Sequence, residues 1–216
     1  MNHLTLADIA AELRLKPSAE QTSQLCGYLD LLERWNATYN LTAVRKREDM
    51  LTQHLADCLA VIGPLRSRLK GGSRLLDVGS GAGLPGVVIA TLLPECQVTC
   101  IDAVAKKAAF VRQAAAGLAL PNLESRHGRV EALRGVSFDV IASRAVGPLA
   151  DLVRVTNTVL APGGAWMAMK GKFPSDEIKA LPSKIRVFHV EPLDVPGLAA
   201  ERCLVWMAPI DPPLSH

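Results

Sequence analysis

Asp77 is followed by Gly79, Gly81, Gly83 and Gly86 in the stretch LLDVGSGAGLPGVVIATLL, which runs from Leu75 to Leu93. An apolar run that ends in a carboxylate, a glycine turn and a new apolar run together describe a strand turning into a helix. Glycines let such a turn approach a bound molecule closely, and the first N–H groups of the helix point at it. Two registers are present. Gly81, Gly83 and Gly86 satisfy the G-x-G-x-x-G of dinucleotide sites, a weak signal when it stands alone. Gly79, Gly81 and Gly83 instead follow Asp77 as D-x-G-x-G-x-G. Asp102 ends the next apolar run, QVTCID, where a carboxylate can accept hydrogen bonds from both hydroxyls of a ribose. Either kind of ligand carries that ribose, so Asp102 does not separate them.

Asp77 does. The second register resembles the first motif of class I S-adenosylmethionine-dependent methyltransferases. A dinucleotide brings an anionic pyrophosphate to this turn, where a neighbouring carboxylate is repulsive. S-adenosylmethionine has no phosphate; its amino-acid end carries an ammonium and its sulfur is a cation, and both suit an acid. The expected cofactor is therefore S-adenosyl-L-methionine, held by Asp77, Gly79, Gly81, Gly83 and Asp102. A nicotinamide-dependent oxidoreductase is the competing enzyme class. A non-catalytic RNA-binding module is the other rival, and it would not need the intact turn.

The elements that must position these residues fall into two patterns. Up to about Pro64 the chain reads as helical: Ser18 and Gln21 have capping-box spacing, and Leu25, Tyr28, Leu29, Leu32, Trp35 and Tyr39 recur with helical period. The loop NLTAVRKR leads to a second helix with the stripe Leu51, Leu55, Cys58, Leu59 and Ile62. From Arg74 onward short apolar strands (RLLDV, QVTCID, LESRH, FDVIAS, AWMAMK) alternate with helices, one of them closed by Gly117 and another stopped by APGG. That rhythm predicts an α/β fold, Rossmann-like, with a mostly parallel sheet covered on both faces. KIRVFHVEPL and ERCLVWMAP, joined by a short link, predict an antiparallel pair that closes the sheet. The expected division is a helical cap over 1–64 and a catalytic domain over 65–216.

Composition narrows the partners. A chain of 216 residues with 49% hydrophobic and 21% charged residues buries a sizeable core. Three Trp, two Tyr and four Phe are too few for rows of stacking platforms, and a net charge of +3 leaves nucleic-acid binding to local clusters. Those clusters are Arg45, Lys46 and Arg47; Arg66, Arg68, Lys70 and Arg74; Arg126 and Arg129; Lys170 and Lys172. The five cysteines form no Cys-x-x-Cys pair and no histidine stands at zinc spacing from them, so reduced thiols, a cytoplasmic location and no metal are expected. No stretch is apolar for long enough to span a membrane.

The acceptor is narrowed by what is missing. The end of the fourth strand reads SRAVGP, not the Asn/Asp-Pro-Pro-aromatic segment associated with exocyclic amines, and Cys100 sits inside a strand rather than in a nucleophile's position. A ring nitrogen such as guanine N7 presents its lone pair without a base and needs mainly orientation. Across nearly the whole chain, ERWNATYNLTAVR, HLADCL, DVGSGAGLPG, IDAVAKKAAFVR, GRVEAL, FDVIASRAVGPL, MKGKFPSDEI and ERCLVWM together resemble the ribosomal RNA small subunit methyltransferase G family, also known as glucose-inhibited division protein B. The resemblance implies a class I methyltransferase with a helical N-terminal extension that methylates N7 of one guanine in bacterial 16S RNA. Its partner would be that RNA, in the small ribosomal subunit or an assembly intermediate, with no membrane involved and the enzyme a monomer. It implies that Gly79 and Leu84 line the cofactor pocket, that Val130 and Glu131 meet the adenine end through backbone groups, and that Arg144 reaches cofactor and acceptor. Cys58 and Ala103 stand where serines are expected.

Arg144 and Lys170 end neighbouring strands and are the expected catalytic side chains; they would make the mouth of the site cationic. Arg45, His54, Lys170 and Lys172 are the expected RNA contacts. His54 has a second reading, as a hydrogen-bonded core histidine that Asp57 orients, and Arg45 a second reading as a solvated charge.

Overall fold

The computed structural model describes residues 4–144 and 147–210. Helices α1 (Leu6–Glu12) and α2 (Ala19–Tyr39) open the chain. Both begin in capping boxes, and in α2 the Ser18 hydroxyl accepts from Gln21 N–H while the Gln21 side chain accepts from Ser18 N–H. Helix α3 (Arg47–Met50) runs through a π-helical turn, Leu51–Ala56, into α4 (Asp57–Leu59), and α5 (Ile62–Arg66) ends the extension. The predicted second helix is thus interrupted by a wider turn, a feature that leaves Leu55, Cys58, Leu59 and Ile62 buried.

The sheet follows: β1 (Arg74–Val78), α6 (Gly86–Leu92), β2 (Gln97–Asp102), α7 (Ala105–Gly117), β3 (Leu123–His127), β4 (Phe138–Ser143), α8 (Leu149–Thr156), β5 (Leu160–Lys170), α9 (Ser175–Lys179), β6 (Ile185–Pro192) and β7 (Cys203–Pro209). The strand order is β3-β2-β1-β4-β5-β7-β6, with β7 antiparallel to both of its neighbours and the rest parallel. Alternation sets the two faces. Leu75, Val140, Met167, Leu204 and Trp206 point into a core shared with the extension, α6 and α7. Leu76, Ile141, Trp166, Val205 and Met207 point into a second core under α8. A bulge between Phe138 and Val140 lets both side chains be buried although they lie two residues apart on opposite faces.

Two boundaries differ from expectation. The left-handed residue after α7 is Ala119 (φ 51°), two positions past Gly117. APGG does not separate helix from strand either: β5 already starts at Leu160, paired with Phe138. The strand order reverses between β1 and β4, which stay parallel, so their C-terminal tips form the crevice in which this fold binds ligands. Among the described residues no helix is long and apolar enough to cross a membrane.

Candidate active site

The turn after β1 holds its glycines for cause. Gly79, Gly81 and Gly83 have φ of 65°, 58° and 80°, where a side chain is strained. Gly79 and Ser80 N–H groups donate to the Ile101 carbonyl at 2.9 and 3.2 Å. Gly81 N–H donates to Asp102 Oδ2 at 2.9 Å, and Val104 N–H to Asp102 Oδ1 at 2.8 Å. Asp102 therefore braces the glycine turn against the loop after β2, and each oxygen keeps a lone pair for a ligand.

Asp77 lies behind the turn. It is fully buried, and its Oδ2 accepts from Gly86 N–H at 2.8 Å, at the first residue of α6. Its Oδ1 is the buried side-chain polar atom without a hydrogen-bond partner among the described residues. Burial pushes the Asp77 carboxyl up to about 7, against the opposing pull of Gly86 N–H and Arg144. The sign of its effect on stability follows. An unfolded aspartate titrates near 3.9, so the folded state loses ground as pH rises from about 4 to about 7 and none thereafter. Asp77→Asn should remove that slope: the urea midpoint of the variant minus that of the parent grows across this window. A constant difference refutes the buried, protonatable carboxyl.

These residues fit S-adenosylmethionine. Gly79 is exposed, and a Cβ on Gly81 would meet nothing nearer than the Gly79 carbonyl at 4.0 Å, so the turn opens onto free space. A carboxylate stands at the tip of β2 for a ribose, and Asp77 backs the turn from a fully buried position rather than facing the ligand.

The extension reaches this turn through Tyr28, fully buried on α2, whose hydroxyl donates to the Ala82 carbonyl at 2.7 Å. Trp35 and Tyr28 pack edge-on against Phe110 of α7, and Lys106 Nζ donates to the Tyr39 carbonyl at 2.7 Å. Tyr28→Phe leaves that carbonyl unsatisfied in the core. A loss of about 1–2 kcal/mol is expected in denaturant unfolding, together with weaker adenosylhomocysteine binding by calorimetry. Parent-like values in both would disconnect Tyr28 from the turn.

Arg144 leaves the tip of β4 and crosses to the extension. Its Nη1 lies 3.6 Å from Asp57 Oδ2 and 3.5 Å from the Gln53 carbonyl. Asp57 is only 3% exposed, and its other oxygen accepts from Arg202 Nε at 3.0 Å. One carboxylate thus holds two arginines from distant parts of the chain. Burial opposes the charge on Arg144, and the Asp57 carboxylate beside it supplies the counter-charge that restores it. Asp57 does not orient His54. The histidine is buried, with Nε2 2.7 Å from the Thr42 hydroxyl and Nδ1 3.1 Å from the Gln53 carbonyl. An imidazole that donates from Nδ1 and accepts at Nε2 satisfies both contacts while neutral, and burial and Arg144 hold its pKa low.

Lys170 is not a bare rim cation. Its Nζ donates to Glu177 Oε2 at 2.7 Å and to the Gly147 carbonyl at 2.8 Å, and the same Glu177 oxygen accepts from Leu149 N–H at 2.8 Å. The pair caps α8 and holds Gly147 just before it. Ala145 and Val146 of that SRAVGP segment lie outside the described residues. Lys172 is exposed, and Arg45 is exposed with one N–H donated to Asn40 Oδ1 at 2.7 Å. Leu84 and Val130 are buried and Glu131 is exposed. Cys58 is buried and its thiol is held far from ionisation by burial. Sequence reasoning does not single out Arg202, Glu177 and Tyr28 as site residues. For Glu177 the signal was present in MKGKFPSDEI, a carboxylate one helical start beyond a lysine. Beside Arg202 a cavity of about 920 Å³ opens over the tips of β5, β7 and β6, with Gly171, Phe173 and Leu193 in its wall.

A seven-stranded sheet with one antiparallel insertion, a glycine turn after the first strand and an acid at the tip of the second define a class I S-adenosylmethionine-dependent methyltransferase. A family model described as rRNA small subunit methyltransferase G matches residues 21–205, and the chain belongs to that family. Its methyl donor is S-adenosyl-L-methionine. The chain is similar to ribosomal RNA small subunit methyltransferase G of Leptothrix cholodnii, 58% identical over 207 residues that span 95% of this chain and 94% of the relative. The protein of the same name from Methylibium petroleiphilum is 57% identical over 199 residues, 92% of this chain and 90% of the relative. Among solved structures the fold resembles a SAM-dependent methyltransferase from Aquifex aeolicus, with a TM-score of 0.56 at 17% identity over 75% of this chain and 93% of that one. It also resembles one from Thiobacillus denitrificans in complex with S-adenosyl-L-homocysteine, with a TM-score of 0.55 at 15% identity over 71% and 91%.

Proposed function

We propose that this chain transfers a methyl group from S-adenosyl-L-methionine to N7 of a guanine in 16S ribosomal RNA, acting in the cytoplasm as a monomer. The observation that carries the acceptor is the state of the groups around Arg144. Asp57 is committed to two arginines, and His54 to Thr42 and a carbonyl. The mouth is cationic and holds no free base among these residues, which suits a nucleophile that has no proton to lose.

Bound S-adenosylmethionine supplies an electrophilic methyl on a sulfonium. The protein supplies placement. Gly79, Gly81, Gly83 and Leu84 form the wall against the donor, with Asp102 on its ribose and Val130 and Glu131 at its adenine. Arg144 donates to an oxygen of the acceptor nucleotide and leaves the N7 lone pair free for in-line attack. Asp57 fixes that guanidinium and offsets its charge beside a developing cationic base. Lys170 and Glu177 hold Gly147 and the start of α8 in place. Arg45 and Lys172, both exposed, contact RNA phosphates; His54 braces the Thr42 loop rather than offering its ring to RNA.

A methyl-transfer assay on unmodified 16S RNA and on small subunits, with the product nucleoside mapped, tests the proposal. 7-Methylguanosine is expected. An exocyclic methylamine or methylated protein overturns the acceptor, and failure to bind adenosylhomocysteine overturns the cofactor site.

A further inference from the structure

The basic connector before β1 is not used by this site. Arg66, Arg68, Lys70 and Arg74 lie at the edge where the parallel strands begin, opposite the tips that carry Asp102 and Arg144. Arg66 leans toward the end of α6, with Nη2 3.5 Å from the Leu92 carbonyl. The guanidinium of Arg68 instead sits on two aromatic faces, 4.7 Å from the Trp206 ring centre and 5.1 Å from that of Phe188. Arg186 stands 5.9 Å from the same Phe188 ring, and Arg74 5.3 Å from Phe138. Phe188 itself is 38% exposed.

A cavity of about 430 Å³ opens beside the Arg68 stack, with Arg68, Lys70, Gly72, Gly163, Phe188 and Trp206 in its wall. A Cβ at Gly72 or Gly163 would meet nothing within 4 Å, so the hollow is open. Asp139, the carboxylate in the same wall, accepts from Arg74 N–H at 2.7 Å through Oδ2, and it is one acid among the cations Arg68 and Lys70. Among the described residues no carboxylate forms an ion pair with Arg68, Lys70 or Arg186.

Stacking immobilises a guanidinium and leaves its N–H edge facing outward. Stacked cations around an exposed ring suit a polyanion that also presents flat bases. We propose that this edge is a second RNA-binding surface, gripping phosphates through Arg68, Lys70 and Arg186 and stacking an unpaired base on Phe188. The inference rests on RNA being the substrate, and it extends the footprint to the side of the molecule away from methyl transfer.

Binding of unmodified 16S RNA, measured against salt concentration, tests it. Arg68→Gln/Arg186→Gln should weaken RNA binding about tenfold at low salt and flatten the log–log salt slope by roughly 1–2, since each lost phosphate contact removes about 0.7–0.9. Adenosylhomocysteine affinity should not change. Arg68→Lys, which keeps the charge but loses the planar stack, should keep most of the slope. Phe188→Ala should lower affinity at least about fivefold with the slope intact. A folded double variant with parental RNA affinity and slope overturns the surface. Weakened binding to small subunits with naked RNA unaffected also overturns it, because the partner would then be a protein. A parent chain that methylates no RNA overturns the functional reading instead.

Discussion

Arg144→Ala should lower kcat for methyl transfer by about 10²- to 10³-fold, with adenosylhomocysteine affinity within tenfold of the parent. The size follows from what preorganised donors in water-poor sites contribute, on the order of 3–4 kcal/mol. Arg144 fits that description: its side chain is 24% exposed, it bridges the tip of β4 to Asp57, and it keeps its charge. Arg144→Lys should recover only part of the loss, because an ammonium cannot face Asp57 and an acceptor oxygen in one plane. Asp57→Asn offers an independent readout. It leaves Arg144 in place but frees both arginines, so kcat should fall while the KM for RNA, aided by unpaired positive charge, rises less or not at all. Single-turnover kinetics separate these effects. An Arg144→Ala enzyme with parental kcat would sink the assignment.

The chain order of elements was readable because parallel strands buried on both faces are continuous apolar runs. RLLDV, QVTCID and FDVIAS therefore appear with both ends correct. The glycine turn was readable for a related reason: glycine adopts the positive-φ backbone at Gly79, Gly81 and Gly83 without the strain a side chain brings. Pairings across the fold were not. Asp57 and Arg202 are 145 residues apart, and Tyr28 and Ala82 are 54 apart. Nothing in composition or period announces that one carboxylate holds two arginines, or that a helix outside the sheet hydrogen-bonds the cofactor turn. Asp77 shows the same limit from the other side. Its identity signalled a cation-tolerant turn, yet burial places it behind that turn, where its first partner is the Gly86 N–H. The π turn at Leu51–Ala56 escaped because Leu51, Leu55, Cys58 and Leu59 satisfy ordinary helical spacing equally well.

Gly86→Ala is the substitution expected to cost most for its size. Gly86 has ordinary helical backbone, so conformational strain is not the reason. A Cβ there would lie 2.3 Å from Cys100 Sγ, 3.0 Å from Asp77 Oδ2 and 3.3 Å from Asp77 Cβ, all buried and all on strands in the middle of the sheet. The start of α6 must lift away from β1 and β2 to admit one methyl group. That movement stretches the Gly86 N–H bond to Asp77 and pulls on Leu84 and Gly83 in the turn. Overpacking of this kind costs roughly 3 kcal/mol, and adenosylhomocysteine binding should fall at least about tenfold because the displaced backbone is the cofactor wall. The double variant Gly86→Ala/Cys100→Ala separates crowding from any other effect. It removes the sulfur that the new methyl strikes first, so it should regain a good part of the stability and of the binding, despite the cavity that Cys100→Ala creates alone. Additive losses in the double-mutant cycle would mean that α6 does not seat against Cys100 as closely as the 2.3 Å contact requires.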